Sequence, residues 1–190
     1  MTGEQLEPLL TGMSVYQDVV LDGRVVRRGV RDCEERWSLI EPRLPRSGTL
    51  LDVGSNFGWF ALRTAESRPQ SVVVSVEADA RSARVQRIVL QSHEVDRIVL
   101  ITRRAGAKLA RQFANRQQRF AAVFCLSVLH WMPDHREFLQ AIATSADRIF
   151  LEFPEPGEIG VGLQSVRDEI GNFEEYLRDV FPMHNVQKLG

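Results

Sequence analysis

The sequence predicts an α/β fold with a mostly parallel central sheet flanked by helices. Between residues 48 and 153, five short apolar segments alternate with helix-length amphipathic ones, the rhythm of strands joined by right-handed crossovers. Those segments are near-continuously apolar, as strands buried on both faces require. Acidic residues and glycines collect at their carboxyl ends, where open sheets of this kind bind ligands.

Composition narrows the class. The chain has 190 residues, 44% of them apolar, enough for one well-buried α/β domain. A net charge of −1 gives no general attraction to nucleic acid or anionic lipid, so a nucleic-acid partner would need a local basic patch. Cys33 and Cys125 are far apart and match no metal spacing, so no metal site is expected. Cys125 lies in an apolar run and reads as a small buried hydrophobe in a reducing compartment. There is no signal pattern and no apolar run near the ~20 residues of a membrane helix. These features predict a cytoplasmic protein with no membrane partner; its oligomeric state is not encoded.

The elements follow in order. Val15 to Arg28 alternates and turns at Asp22-Gly23, a hairpin signal. Asp32 with Glu35 resembles a capping box for a helix through Trp37 and Ile40, ended by Pro42 and Pro45. Strands are predicted at 49–53, 71–76, 97–102, 120–126 and 148–153, in the order 3-2-1-4-5. Helices are predicted at 59–67, 80–91, 105–118 and 134–146, the last capped by Asp134 and opening with His135. Leu163, Val166, Ile170, Phe173, Leu177 and Val180 fall at three- and four-residue steps and predict a further amphipathic helix. His184 to Leu189 could begin a strand with nothing left to pair against it, so an incomplete C-terminal hairpin, or a fragment, is expected. Residues 1–47 read as an N-terminal hairpin and helix on the cap or substrate side, and residues 48–190 as the ligand-binding domain.

The chemistry is concentrated in LLDVGSNFGWF, residues 50–60. Asp52 is charged near the end of an apolar strand, where hydrogen bonds must offset burial. Gly54 and Gly58 let the backbone turn and approach a ligand. Glu77 ends the next strand and can accept hydrogen bonds from both hydroxyls of a ribose. A dinucleotide loop is G-x-G-x-x-G, admitting a pyrophosphate at the helix N-terminus. Here the loop is G-S-N-F-G, with Ser55 and Asn56 polar and Phe57 bulky, which suits an amino-acid carboxylate and ammonium; the alternative is a plain strand–helix turn.

LLDVGSNFG resembles the first motif of class I S-adenosylmethionine-dependent methyltransferases, and VSVEAD, residues 74–79, resembles their second. FAAVFCLSVLHWMPD, residues 120–134, is similar to their fourth-strand segment, and RIFLEFPEP, residues 148–156, to their fifth. The resemblance implies a Rossmann-like methyltransferase fold with S-adenosylmethionine as cofactor. It implies that the methionine end lies over Asp52, Gly54, Ser55, Asn56, Phe57 and Gly58, the ribose on Glu77 beside Ala78, and the methyl toward Leu126 and Ser127. Two places depart from the pattern. Ala121 and Ala122 stand where many members have an aspartate, and Arg103 and Arg104 where an acidic residue often contacts adenine.

Methyl transfer from a sulfonium needs alignment and exclusion of water, and a base only if the nucleophile is protonated. His130, just past the fourth strand, is a candidate base or a loop cap. Trp131 walls an acceptor pocket or packs under the next helix. Glu152, a carboxylate at an apolar strand end, needs a partner or a catalytic role. Arg24, Arg27, Arg28 and Arg31 form a cationic stretch that either binds phosphate or is a solvated hairpin face. CLSVLHW resembles a stretch of RNA 5′-phosphate-capping methyltransferases, and residues 17–37 the entry to sugar-, polysaccharide- and tRNA wobble-uridine-modifying relatives. The expected activity is methylation at oxygen or nitrogen of a small or sugar-like acceptor. A phosphate-bearing or RNA acceptor, or a catalytically silent cofactor-binding module, is the alternative.

Overall fold

The computed structural model describes residues 6–153, 168, 170–182 and 185–189. They fall into two compact units, Met1–Arg104 and Ala105–Gly190. The fold is mixed α/β, with parallel strands flanked by helices: three such strands in the first unit and two in the second.

In the first unit, α1 (Glu7–Leu10) leads into a hairpin of β1 (Val19–Leu21) and β2 (Arg24–Arg27). Asp22 and Gly23 both take positive φ, 48° and 73°, the two-residue turn that matches strand twist. The hairpin is a separate two-stranded sheet. Its inward residues Val19 and Leu21 join Leu6 and Leu10 in a buried cluster with Phe57, Leu62, Val85 and Val89. The α1 turn has no clear sequence signal: Pro8 opens it, but four residues show no period.

Next come α2 (Cys33–Ile40), β3 (Gly48–Val53), α3 (Trp59–Ser67), β4 (Ser71–Glu77), α4 (Ala80–Ser92) and β5 (Ile98–Thr102). Asp32 caps α2 by accepting from the Glu35 N–H at 2.9 Å, and Asp79 caps α4 by accepting from the Ser82 N–H at 2.6 Å. Trp37 packs edge-on to Trp59 at 6.2 Å between ring centres, seating α2 against α3. Strands β3 and β4 run parallel from Gly48↔Ser71 to Val53↔Val76, and β4 pairs with β5 from Val73↔Ile98 to Glu77↔Thr102. The hydrogen-bonded order β5-β4-β3 is the 3-2-1 half of the expected sheet.

The second unit contains α5 (Ala107–Asn115), β6 (Ala122–Leu126), a 3₁₀ turn at Leu129–Trp131, α6 (His135–Ala143), β7 (Ile149–Glu152) and α7 (Phe173–Val180). Strands β6 and β7 pair in parallel, Val123↔Ile149 through Leu126↔Glu152, the 4-5 half of the order. Four boundaries differ from the periodicity. The α5 helix starts at Ala107 because Gly106 is fully extended, and it stops at Asn115 ahead of Gln117, whose φ is +53°. Phe120 makes only an isolated bridge to Ala146, which shortens both β6 and α6.

Asp134 sits at the N-terminus of α6 but makes no side-chain bond there. Its Oδ2 instead accepts from the Ala107 N–H at 2.8 Å, so it caps α5. A Cβ on Gly106 would come within 3.0 Å of that carboxylate, so the glycine and the long-range cap go together. The α7 helix, capped by Asn172, carries Phe173, Leu177 and Val180 of the amphipathic series, with Ile170 half-buried before it. Leu163, Val166, His184 and residues 154–156 lie outside the described residues. Residues 185–189 belong to no strand, and no helix among the described residues is long and apolar enough to cross a membrane.

Candidate functional site

The loop after β3 is held on both sides. The N–H groups of Gly54 and Ser55 donate to the Val76 carbonyl of β4 at 2.8 and 3.2 Å. The Asn56 N–H donates to Glu77 Oε2 at 2.7 Å, and the Asp79 N–H donates to Glu77 Oε1, also at 2.7 Å. Glu77 therefore grips the loop with one oxygen and its own following turn with the other. Each carboxylate oxygen keeps a second lone pair for a ligand hydroxyl. Asn56 adopts φ +53°, a left-handed conformation that asparagine tolerates, and Ala78 is exposed beside Glu77.

Gly58 closes the loop at φ +80° as the N-cap of α3. A Cβ there would lie 2.6 Å from the side chain of Gln86, which reaches up from α4. Gln86 is fully buried, and its Oε1 accepts from Ser55 Oγ at 2.9 Å. Phe57 points the other way, into the cluster with Val19, Leu62 and Val89, and anchors the loop rather than lining it.

The N-terminus of α3 is the place where a dinucleotide fold would hold pyrophosphate. Here three of the donors at that end are taken by the protein. The Gly58 N–H donates to the Ser55 carbonyl at 2.8 Å, the Trp59 N–H to Gln17 Oε1 at 3.2 Å, and the Ala61 N–H to the Asp52 carboxyl. Acceptors, by contrast, are left over. Asp52 Oδ2 and Asn56 Oδ1 are buried with no hydrogen-bond partner among the described residues. Burial, and then the neighbouring Glu77 charge, push the Asp52 carboxyl from its ordinary 3.8 up to about 7, against the pull of the Ala61 N–H. Unpaired acceptors beside donors that are largely taken suit an ammonium better than a phosphate.

In the second unit, Leu126 is half-buried at the end of β6, and Ser127 follows at φ +49°. Ser127 Oγ donates to Glu152 Oε2 at 2.6 Å, which answers the need of that strand-end carboxylate for a partner. His130 lies in the 3₁₀ turn, half-buried, with Nδ1 buried and no partner for it among the described residues. Desolvation lowers its pKa below 6.5, so the imidazole is neutral at pH 7. Its ring rests 5.1 Å from that of Trp131, which is 59% exposed rather than packed under α6.

Three of the four arginines of the cationic stretch are drawn into local contacts. Arg27 pairs with Glu7, Arg28 pairs with Asp18 at 2.8 Å, and Arg31 lies over the Tyr16 ring at 5.7 Å. The structure adds Gln17 and Gln86 to the loop's surroundings. Both carried a signal in the sequence. Gln17 shares the inward period-two face of Val15, Val19 and Leu21, and Gln86 lies on the buried stripe of Ala83, Val89 and Leu90.

Together these features define an α/β domain with a loop at the carboxyl end of β3 that presents unpaired buried acceptors and the Glu77 carboxylate. Residues 26–165 match the family described as a methyltransferase domain, and the chain belongs to that family. A search of curated proteins gives no match. Among solved structures, the chain is similar to the N-terminal domain of EvdMO1 with SAH bound, with TM-score 0.63 and 19% identity over 80% of this chain and 65% of that one. It is similar to monomeric WbdD, with TM-score 0.71 and 17% identity over 96% of this chain and 46% of that one. It is also similar to the YcgJ protein from Bacillus subtilis, with TM-score 0.52 and 18% identity over 75% and 57%. The chain spans less than two thirds of each of these proteins.

Proposed function

We propose that the chain is an S-adenosylmethionine-dependent methyltransferase acting at oxygen or nitrogen of a small or sugar-like acceptor. The observation that carries this reading is the set of unpaired buried oxygens of Asp52 and Asn56 beside an N-terminus of α3 where the N–H groups of Gly58 and Trp59 are already bonded within the protein. The residues fit the cofactor. Asp52 and Asn56 accept from its ammonium, Ser55 and the turn at Gly54 and Gly58 shape the loop around its amino-acid end, and Glu77 accepts from its ribose hydroxyls. When bound, the cofactor supplies a methyl group on a sulfonium, an electrophile with its leaving group attached.

The chain's own residues then have three tasks. Leu126 and Ser127 wall the methyl end. His130, half-buried and neutral, takes the proton of an acceptor hydroxyl or amine as general base. Glu152, fixed by Ser127, orients the acceptor, and the exposed Trp131 offers it a flat apolar face. Residues 1–47 serve as the cap and residues 48–190 as the methyltransferase domain. A sugar-like acceptor is supported by the N-terminal domain of EvdMO1, crystallised in the presence of SAH and D-fucose. A phosphate-bearing acceptor is disfavoured because Arg27 and Arg28 are already paired with Glu7 and Asp18.

Calorimetric titration with S-adenosylhomocysteine and with NAD tests the cofactor, and methyl transfer to a panel of deoxyhexoses tests the acceptor. Binding of NAD without binding of adenosylhomocysteine overturns the reading.

A further inference from the structure

The first unit holds a second buried amide that the motif does not contain. Gln17 is only 5% exposed, and its Oε1 accepts from the N–H of Trp59, the residue directly after Gly58. The segment that carries it is tied down over residues 15–18. The N–H groups of Val30 and Arg31 donate to the carbonyls of Val15 and Tyr16 at 3.0 and 3.2 Å, and the Gly29 N–H donates to Asp18 Oδ1 at 2.7 Å. Backbones approach so closely here that a Cβ on Gly29 would stand 2.5 Å from the Gln17 carbonyl carbon and 2.6 Å from the Tyr16 oxygen. The base of the hairpin is therefore a strap, and Gln17 carries a side-chain hydrogen bond from it to the residue that follows the cofactor loop.

We propose that Gln17 is a positioning residue for the cofactor, latching the N-terminal strap to the first turn of α3 so that the Gly54–Gly58 loop keeps its binding shape. The inference deepens the cofactor reading above and rests on it. The physical reason is that Trp59 N–H lies in the first turn of a helix, where no intrahelical carbonyl can satisfy it. Buried as Trp59 is, that donor needs an acceptor, and Gln17 supplies one from a segment 42 residues away. Losing the acceptor loosens the turn that sets the positions of Asn56 and Gly58. The hydrogen bond of Gln17 is to the backbone beside the loop, and its proposed role runs through the loop.

Two isosteres separate the latch from plain packing. Gln17→Met fills the same space without an acceptor, whereas Gln17→Glu keeps an acceptor oxygen. Amide exchange at Trp59, measured without ligand, should speed up at least tenfold in Gln17→Met and stay near wild type in Gln17→Glu. The Kd for adenosylhomocysteine should rise about tenfold in Gln17→Met, the effect of one lost buried hydrogen bond, and less than threefold in Gln17→Glu. Gly29→Ala, which displaces the strap, should reproduce the Met phenotype. Unchanged Trp59 exchange in a folded Gln17→Met protein overturns the proposal, as does faster exchange with unchanged adenosylhomocysteine affinity. If wild type binds no adenosylhomocysteine, the cofactor reading and with it the positioning role fail, whatever the exchange data show about the strap.

Discussion

Replacing Asp52 by Asn should make the ligand-free protein more stable at alkaline pH while weakening its cofactor site. The Asp52 carboxyl is fully buried, and burial together with the Glu77 charge raises its pKa from 3.8 to about 7. A raised acid holds its proton better in the folded state than in the unfolded one. Its contribution to stability is therefore complete below 3.8 and is lost as pH rises to about 7. The whole span corresponds to roughly 4 kcal/mol at most, and between pH 5 and pH 8 to roughly 2.5 kcal/mol. Asn keeps an oxygen for the Ala61 N–H and cannot ionise, so it escapes this loss. Urea unfolding of both proteins at pH 5 and pH 8, with equal m-values, gives the comparison. The variant should match wild type within about 1 kcal/mol at pH 5 and exceed it by about 2–3 kcal/mol at pH 8. Glu77→Gln, which removes the second cause, should shrink the pH difference in an otherwise wild-type chain. A stability difference between Asp52→Asn and wild type that is the same at both pH values would refute the reasoning.

Three further outcomes follow from the same geometry. Glu77→Ala should weaken adenosylhomocysteine by ~1.5–3 kcal/mol, the range for hydrogen bonds to a charged group, as read by calorimetry on the folded variant; normal affinity would remove Glu77 from the ribose. Gly58→Ala should destabilise the fold by ~1–3 kcal/mol, since its φ of +80° and the 2.6 Å approach to Gln86 both oppose a methyl group, and the shift in urea midpoint measures it. With an O–H or N–H acceptor, His130→Ala should lower turnover by ~10²–10⁴-fold at pH 7.5 with little change in adenosylhomocysteine affinity. Because desolvation lowers the pKa of this imidazole, the wild-type rate should be flat through neutral and alkaline pH and fall only on the acid side of an ordinary histidine titration, and full activity in His130→Ala with such an acceptor would reduce the residue to a structural one.

The sheet was legible in the sequence because its signals are local. The alternation of apolar strands and amphipathic helices places β3, α3, β4 and α4 within a residue or two, and Asp22-Gly23 fixes the hairpin turn. The loop itself was legible as a motif, since Asp52, Gly58 and Glu77 have conformational or charge requirements visible in one dimension. Less legible were the bonds that cross the chain. Asp134 reads as a cap for the helix it precedes, yet it serves α5, 27 residues back, because Gly106 leaves room for its carboxylate. Phe57 reads as loop bulk, yet it is the loop's anchor in the core. A period can say which face a residue occupies, but not which partner waits there.

The two kinds of buried polar group at the loop give the physical basis for the proposed cationic ligand in a fold shared with dinucleotide binders. Every helix of this type starts with spare N–H groups and a partial positive charge, so its default ligand is an anion. This chain cancels the default with three groups of its own: the Ser55 carbonyl, Gln17 Oε1 and the Asp52 carboxyl each take one donor of α3. The same arrangement leaves one Asp52 oxygen buried without a partner, and with Glu77 close by that oxygen ionises reluctantly. A ligand ammonium resolves this conflict, since an opposite charge restores the ionised form that burial and Glu77 disfavour. Cofactor affinity should therefore fall as pH drops below 7 in wild type and lose that dependence in Asp52→Asn. Adenosylhomocysteine titrations at pH 6 and pH 8 would read about a tenfold difference in wild type, and equal affinities at the two values would mean that the ammonium is not what Asp52 holds.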